Sequence, residues 1–155
     1  MPAEPSPFTS SSHRLRVALF QTAEVLRDRV AEVVRPHGLT MQQFNALRVL
    51  RGRRRQELEA AGRDESLGSF STSDLRDRLL QKASDTPRLV DRLVAQGWVT
   101  KVPCAHDARR VHLAITDAGL ALLEAVSSDA LDATTGALSD LEAERLADLL
   151  DKLHG

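Results

Sequence analysis

Residues 98–116 read WVTKVPCAHDARRVHLAIT, two short runs of alternating apolar and polar residues around a polar turn. This segment constrains the fold more than any other, because an isolated two-stranded hairpin is at best marginally stable in water and has to lean on something larger. Elsewhere the chain carries helical periodicity, so the hairpin is an appendage of a helical body. Composition agrees: 155 residues with 3% aromatics and no Tyr leave the core to Leu, Val and Ala, which favours helix packing over a sandwich or barrel. One domain of mainly α class with a small β-hairpin follows.

The helices are legible from spacing and caps. Leu15, Ala18, Leu19, Val25, Leu26, Val30, Val33 and Val34 trace one face of a first helix over about 13–35, stopped by Pro36 and Gly38. Thr40 three residues before Gln43 predicts a capping box and a second helix with Phe44, Leu47 and Leu50 inward. Residues 51–70, RGRRRQELEAAGRDESLGSF, lack a sustained apolar stripe and read as an extension of that helix followed by an exposed, moving loop. Thr72 is expected to cap a third helix over about 73–80 with Leu75, Leu79 and Leu80 inside. Ser84 is expected to cap a fourth, with Asp85 at its positive end, Pro87 in its first turn, Leu89, Val90, Leu93 and Val94 buried and Gly97 as its stop. Two short helices in this relation form a helix-turn-helix, and the hairpin follows at once. After it, Thr116 and Asp117 start a fifth helix running through Leu120, Leu123 and Val126 towards Leu131. Ser139 and Glu142 then box the start of a sixth, with Leu146, Leu149, Leu150 and Leu153 at helical spacing.

With its apolar stripe turned in, the fourth helix offers Ser84, Thr86, Pro87, Arg88 and Arg92 outward, joined by Thr72 and Ser73 at the start of the third. Hydroxyl and guanidinium groups beside a helix N-terminus suit base edges and phosphates; an ordinary solvated face is the competing reading. At the hairpin tip, Arg109 suits a narrow minor groove, and Lys101 and Arg110 suit flanking phosphates. Asp107 in the turn, or Asp91 on the outward side of the fourth helix, is placed to hold a long cation in direction. The net charge of −1 conceals a gradient: residues 71–112 carry 8 basic and 5 acidic side chains, residues 113–155 carry 2 and 9. A basic middle and an acidic tail can hold a polyanion at one end and repel it at the other.

The runs LTMQQFNALRVL and STSDLRDRLLQKASDTPRLVDRLVAQGWVTKVPCAHDARRVHLAITDAGLALL resemble the multiple-antibiotic-resistance regulator (MarR) family of winged-helix repressors over about residues 38–124. The features that carry the resemblance are L-V-D-R-L before G-W-V, D-x-R at the wing, and L-x-I-T-D-A-G leading into the fifth helix. It implies a winged helix-turn-helix lobe over 38–116, N- and C-terminal dimerisation helices in 1–36 and 117–155, and an obligate homodimer. It also implies the fourth helix in the major groove, Arg109 in the minor groove and an Asp91 to Arg109 ion pair supporting the wing. A dimer accords with the apolar stripes of the first and last helices, which exceed what one small core can absorb. A twofold pair of fourth helices would read a pseudo-palindromic operator in double-stranded DNA, with half-sites roughly 34–36 Å apart. The stretch from Arg51 to Phe70 is longer than the usual connection in the family. The hydroperoxide-sensing branch places a cysteine near the first helix and tyrosines against it, and this chain has neither.

Several other classes are disfavoured. No phosphate loop, G-x-S-x-G elbow, H-E-x-x-H or paired-cysteine motif occurs, so the chain is not read as an enzyme and no cofactor is expected. No long apolar run or secretion signal is present, which points to the cytoplasm and away from membranes. Cys104, the single cysteine, excludes an internal disulfide but leaves a redox-responsive wing as an alternative, as does a winged-helix module that binds protein. Cys104, His106 and His112 on one hairpin are a weak metal signal, and no metal site is assigned. For a small lipophilic or anionic effector, Phe20 and Phe44 are the candidate walls and His13, Arg14 and Arg16 the candidate carboxylate partners.

Overall fold

Capping chemistry sets the helix boundaries in the computed structural model, which describes residues 9–62, 68–79, 85–104, 107–126 and 128–154, with Cys104, residues 107–110 and His154 as backbone. Helix α1 spans Ser11–Val34 and passes into one 3-10 turn, Arg35–His37. Helix α2, Met41–Ala61, opens with the expected box: the Gln43 amide donates to Thr40 Oγ1 at 3.2 Å and the Thr40 amide to Gln43 Oε1 at 2.9 Å. It runs well past the apolar stripe of Phe44, Leu47 and Leu50, because Arg53 and Ala60 continue the same buried face.

Helix α3, Thr72–Arg78, starts one residue earlier than expected. Ser71, not Thr72, is the cap. Ser71 stands three residues before Asp74, so its hydroxyl accepts the Asp74 amide at 3.2 Å while Asp74 Oδ2 accepts the Ser71 amide at 2.7 Å. Helix α4, Thr86–Ala95, follows Asp85 and carries Pro87 in its first turn. Thr86, Leu89, Val90 and Leu93 are its buried stripe. Gly97, at φ 73°, adopts the left-handed backbone that turns the chain from α4 into the hairpin.

Strands β1, Val99–Cys104, and β2, Asp107–Ile115, pair antiparallel from Val99 opposite Ile115 to Pro103 opposite Val111. Val99, Leu113 and Ile115 are buried against the helices. Val111 continues their alternation but is 43% exposed, since it lies opposite Pro103, towards the tip and past the last core pair. Helix α5, Asp117–Ala125, is capped by Thr116, whose Oγ1 accepts the Gly119 amide at 3.1 Å and donates to Gly97 O at 2.7 Å. The Thr116 amide donates to Trp98 O at 3.0 Å. A Cβ on Gly119 would stand 2.4 Å from Trp98 O, so only glycine lets α5 approach the base of the hairpin this closely.

The expected continuous fifth helix is divided. Val126 turns extended at ψ 112°, and a short α6, Ser128–Asp132, leads into a 3-10 turn at Ala133–Thr135 and then α7, Asp140–His154. The Thr134 hydroxyl donates to Leu131 O at 2.6 Å and that of Thr135 to Asp132 O at 3.1 Å, local bonds that hold these carbonyls in a turn.

Packing separates the chain into a central unit, Val34–Ser127, and a terminal unit, Met1–Val33 with Ser128–Gly155. The central unit has the element order of a winged helix-turn-helix: α2, α3, α4, then the two-stranded wing, closed by α5. Its core is Val34, Phe44, Leu47, Leu50, Leu75, Leu89, Leu93, Val99 and Leu113, all fully or almost fully buried. In the terminal unit Arg29 donates to Thr134 O at 2.9 Å, while Phe20 is 73% and Leu141 76% exposed. No helix of the described residues is long and apolar enough to cross a membrane.

Candidate nucleic-acid interface

Helix α4 divides by side. Leu89, Val90 and Leu93 sink into the core, which leaves Pro87, Arg88, Asp91 and Arg92 exposed. Arg88 reaches back towards Asp85 with Nε 3.6 Å from Oδ1, and its side chain remains 80% exposed. That contact is a weak tether, worth well under about 1 kcal/mol, and leaves the guanidinium available. Thr86 does not join this surface. It is 1% exposed, because it lies three and four residues before Leu89 and Val90 and so falls on the inward stripe. In the first turn of α3 Thr72 is half-buried and Ser73 is exposed, with the Ser73 hydroxyl 2.9 Å from that of Ser71. Ser84 lies outside the described residues.

The wing is linked to α4 through Lys101, whose Nζ donates to Asp91 Oδ1 at 2.7 Å. Lys101 was expected at a flanking phosphate, and Asp91, or else Asp107, as the partner of Arg109, whose side chain lies outside the described part. Lys101 reaches Asp91 because β1 leaves α4 through only the Gly97 turn, which keeps the two side chains close along the chain. At the tip the pairing is irregular: Pro103 faces Val111, but the next residue, Cys104, pairs with Asp107. Ala108, Arg109 and Arg110 are therefore extra on β2, a bulge next to a proline that has no amide to give the ladder. The side chains of Cys104, Asp107, Arg109 and Arg110, and all of His106, lie outside the described part.

Midway along β2, where the wing packs on α2, is an assembly that sequence reasoning missed. The Phe70 carbonyl accepts the Leu113 amide at 2.8 Å, and the Phe70 amide donates to Nδ1 of His112 at 2.9 Å. His112 Nε2 in turn lies 3.5 Å from Glu57 Oε1, which accepts Arg53 Nε at 2.6 Å. Arg53, 8% exposed, also donates to Gly68 O at 2.7 Å. The guanidinium groups of Arg53 and Arg78 lie over the Phe70 ring, 5.6 and 5.2 Å from its centroid. The available signals were the four-residue spacing of Arg53 and Glu57 and a histidine on a half-buried strand. Beside this assembly, Leu50, Arg54, Leu113, Ile115 and Asp117 help line a cleft of about 440 Å³, across which Arg54 donates to Asp117 at 2.9 Å.

The effector candidates separate. Phe44 is 2% exposed in the core of the central unit, with Arg48 over its ring at 5.6 Å. His13, Arg14, Arg16 and Phe20 belong to α1 in the terminal unit, where His13 Nδ1 lies 3.1 Å from Thr9 Oγ1. Among the described residues no group of three or more His, Cys, Asp or Glu is arranged to hold a metal.

Residues 37–110 match the MarR family model. No curated protein matches the chain. Among solved structures, a mutant MarR from E. coli complexed with operator DNA aligns over 90% of this chain and 93% of its own, at 24% identity and TM-score 0.71. The apo form of wild-type E. coli MarR aligns over 90% and 96%, at 24% identity and TM-score 0.66. A MarR transcription factor from Planctomyces limnophilus aligns over 95% and 98%, at 27% identity and TM-score 0.60. Residues 37–110 are thus similar to the MarR family, and the chain has the fold of the solved MarR structures.

Proposed function

We propose that the chain is a sequence-specific, double-stranded DNA-binding transcriptional regulator, a cytoplasmic homodimeric repressor released by a small lipophilic or anionic effector, and not an enzyme. The observation that carries this reading is α4, which buries Leu89, Val90 and Leu93 while presenting Arg88 and Arg92 to solvent directly before a wing whose tip arginines ride on a bulge. Helix α4 enters the major groove, where guanidinium groups read guanine edges and phosphates. The wing lays Arg109 in the adjacent minor groove, with Arg110 on a flanking phosphate. Residues 38–116 meet DNA, and the helices of 1–36 and 117–155 pair the two copies.

Pairing is supported by the terminal unit's exposed Leu15, Phe20, Val25, Leu141, Leu149 and Leu153, apolar side chains that a second copy can cover. A solved relative by fold holds operator DNA, which accords with the assignment. For the effector, the cleft of about 440 Å³ beside α2, β2 and α5 has the size of a small-molecule site. The test is selection of bound sequences from a random duplex pool, followed by titration at several salt concentrations. A pseudo-palindrome bound with affinity that falls steeply with salt supports the reading, since phosphate contacts release counterions. Recovery of no motif with a flat salt response points instead to a winged-helix module that binds protein.

A further inference from the structure

The extension of α2 beyond Leu50 ends as a strut behind the wing. Its inward face continues Leu50, Arg53, Glu57 and Ala60, so an arginine and a glutamate take positions where a helix of this kind would otherwise place leucine. A buried arginine is costly unless its donors are used, and here they are: Arg53 donates to Glu57 and to the Gly68 carbonyl and lies over the Phe70 ring. The oxygen that Arg53 fixes, Glu57 Oε1, is the one that faces His112 Nε2. Because His112 Nδ1 accepts the Phe70 amide, that nitrogen carries no hydrogen and the ring N–H lies on Nε2, directed at Glu57. Phe70 in turn holds β2 through the Leu113 amide and leads directly into Ser71, the cap of α3. The chain of contacts therefore connects α2, the wing strand β2 and the first helix of the helix-turn-helix.

We propose that Arg53, Glu57 and His112 form a positioning device that fixes the angle of the wing relative to α3 and α4. It sets whether the tip arginines and α4 address neighbouring grooves together. The inference rests on the DNA-binding reading above but acts on a part of the protein that can be observed without DNA. None of the three is among the residues assigned to DNA above. Each acts through the Phe70 and Leu113 backbone, midway along the wing, and His112 lies one ladder pair short of Pro103 and Val111, where the regular pairing ends and the tip begins.

The test has a DNA-free arm and a DNA arm. In the free full-length dimer, nitrogen NMR of His112 is expected to show hydrogen on Nε2 and none on Nδ1, and hydrogen exchange of the Phe70 and Leu113 amides is expected to be slow. Glu57→Gln leaves Arg53 an oxygen but removes the charge facing His112, and is expected to speed both amides. An Nδ1-protonated ring, or amide exchange unchanged in Glu57→Gln, overturns the proposal whatever the protein does with DNA. On a selected duplex, His112→Ala is expected to lose the flanking minor-groove protection and about tenfold in affinity while keeping the major-groove protection from α4. His112→Asn, whose side-chain oxygen can replace Nδ1 as acceptor, is expected to restore most of the flanking protection. Loss of both protections together in His112→Ala, or no recovery with Asn, shows a merely structural role and overturns the positioning claim. If wild type protects no duplex at all, the DNA-binding reading fails while the amide and tautomer results still decide the strut.

Discussion

The central and terminal units are built from the same residue types and end in opposite states. In the central unit Phe44, Leu47, Leu50, Leu89, Leu93 and Leu113 are each at most 2% exposed, whereas in the terminal unit Phe20, Leu141, Leu149 and Leu153 are each more than half exposed. Burial at about 25 cal/mol per Å² gives the first set a stabilising role within one chain. The second set gains that term only when another surface covers it. The difference is the one the proposed division of roles requires: a lobe whose apolar residues are covered within one chain, and helical segments whose apolar residues are not.

The contrast can be broken most severely in the core. Leu47→Ala, at a fully buried site, is expected to destabilise the central unit by about 2–5 kcal/mol in urea unfolding followed by Trp98 fluorescence. A loss below about 1 kcal/mol would mean that this lobe is not the independently packed one. Next in size, Leu149→Glu with Leu153→Glu is expected to leave that unfolding transition in place, shift sedimentation from dimer to monomer, and cut operator affinity about a hundredfold by removing the second half-site. Retention of the dimer with both charges present contradicts the pairing role. Arg109→Ala is the mirror experiment: about tenfold weaker operator binding with an unchanged dimer, read by mobility shift and sedimentation in parallel. Asp91→Asn releases Lys101, and with side chains 65% and 43% exposed the pair is expected to contribute less than about 1 kcal/mol to stability.

The smallest expected effect concerns pH. The Ser139 hydroxyl and then its backbone amide donate to Glu142, which holds that carboxyl below its ordinary value of 4.5. A depressed folded value means that the bond supports the start of α7 above the ordinary value and loses that support as the pH falls through the lowered one. Glu142→Gln should remove this acid limb from α7 helicity measured by circular dichroism, and an identical acid profile in both proteins would discount the cap.

Much of the central unit was legible because it is specified locally. The Thr40 and Gln43 box, the α4 stripe, the Gly97 stop and the Thr116 cap each depend on residues within a turn of one another. What was missed is what spans distance or competes at close range. Ser71 outranked Thr72 because the reciprocal bond to Asp74 favours the earlier residue. Thr86 was assigned to the surface by chemical type, although its phase on the helix matches Leu89, Leu93 and the core. Arg53 breaks the apolar pattern, yet tertiary partners at Gly68 and Phe70 make it a core residue. The helix ends at Val126 and turns again at Ala133–Thr135, where the Thr134 and Thr135 hydroxyls bond the Leu131 and Asp132 carbonyls, local preferences weaker in sequence than the leucine spacing around them.

The most direct test of this division of labour is the mass of the complex formed on a selected duplex, measured by sedimentation or native mass spectrometry at physiological salt. Two chains of 17.0 kDa on one duplex, with half-site centres about 10 base pairs apart, is the predicted result. One chain per duplex, or a complex whose formation ignores salt, would contradict it.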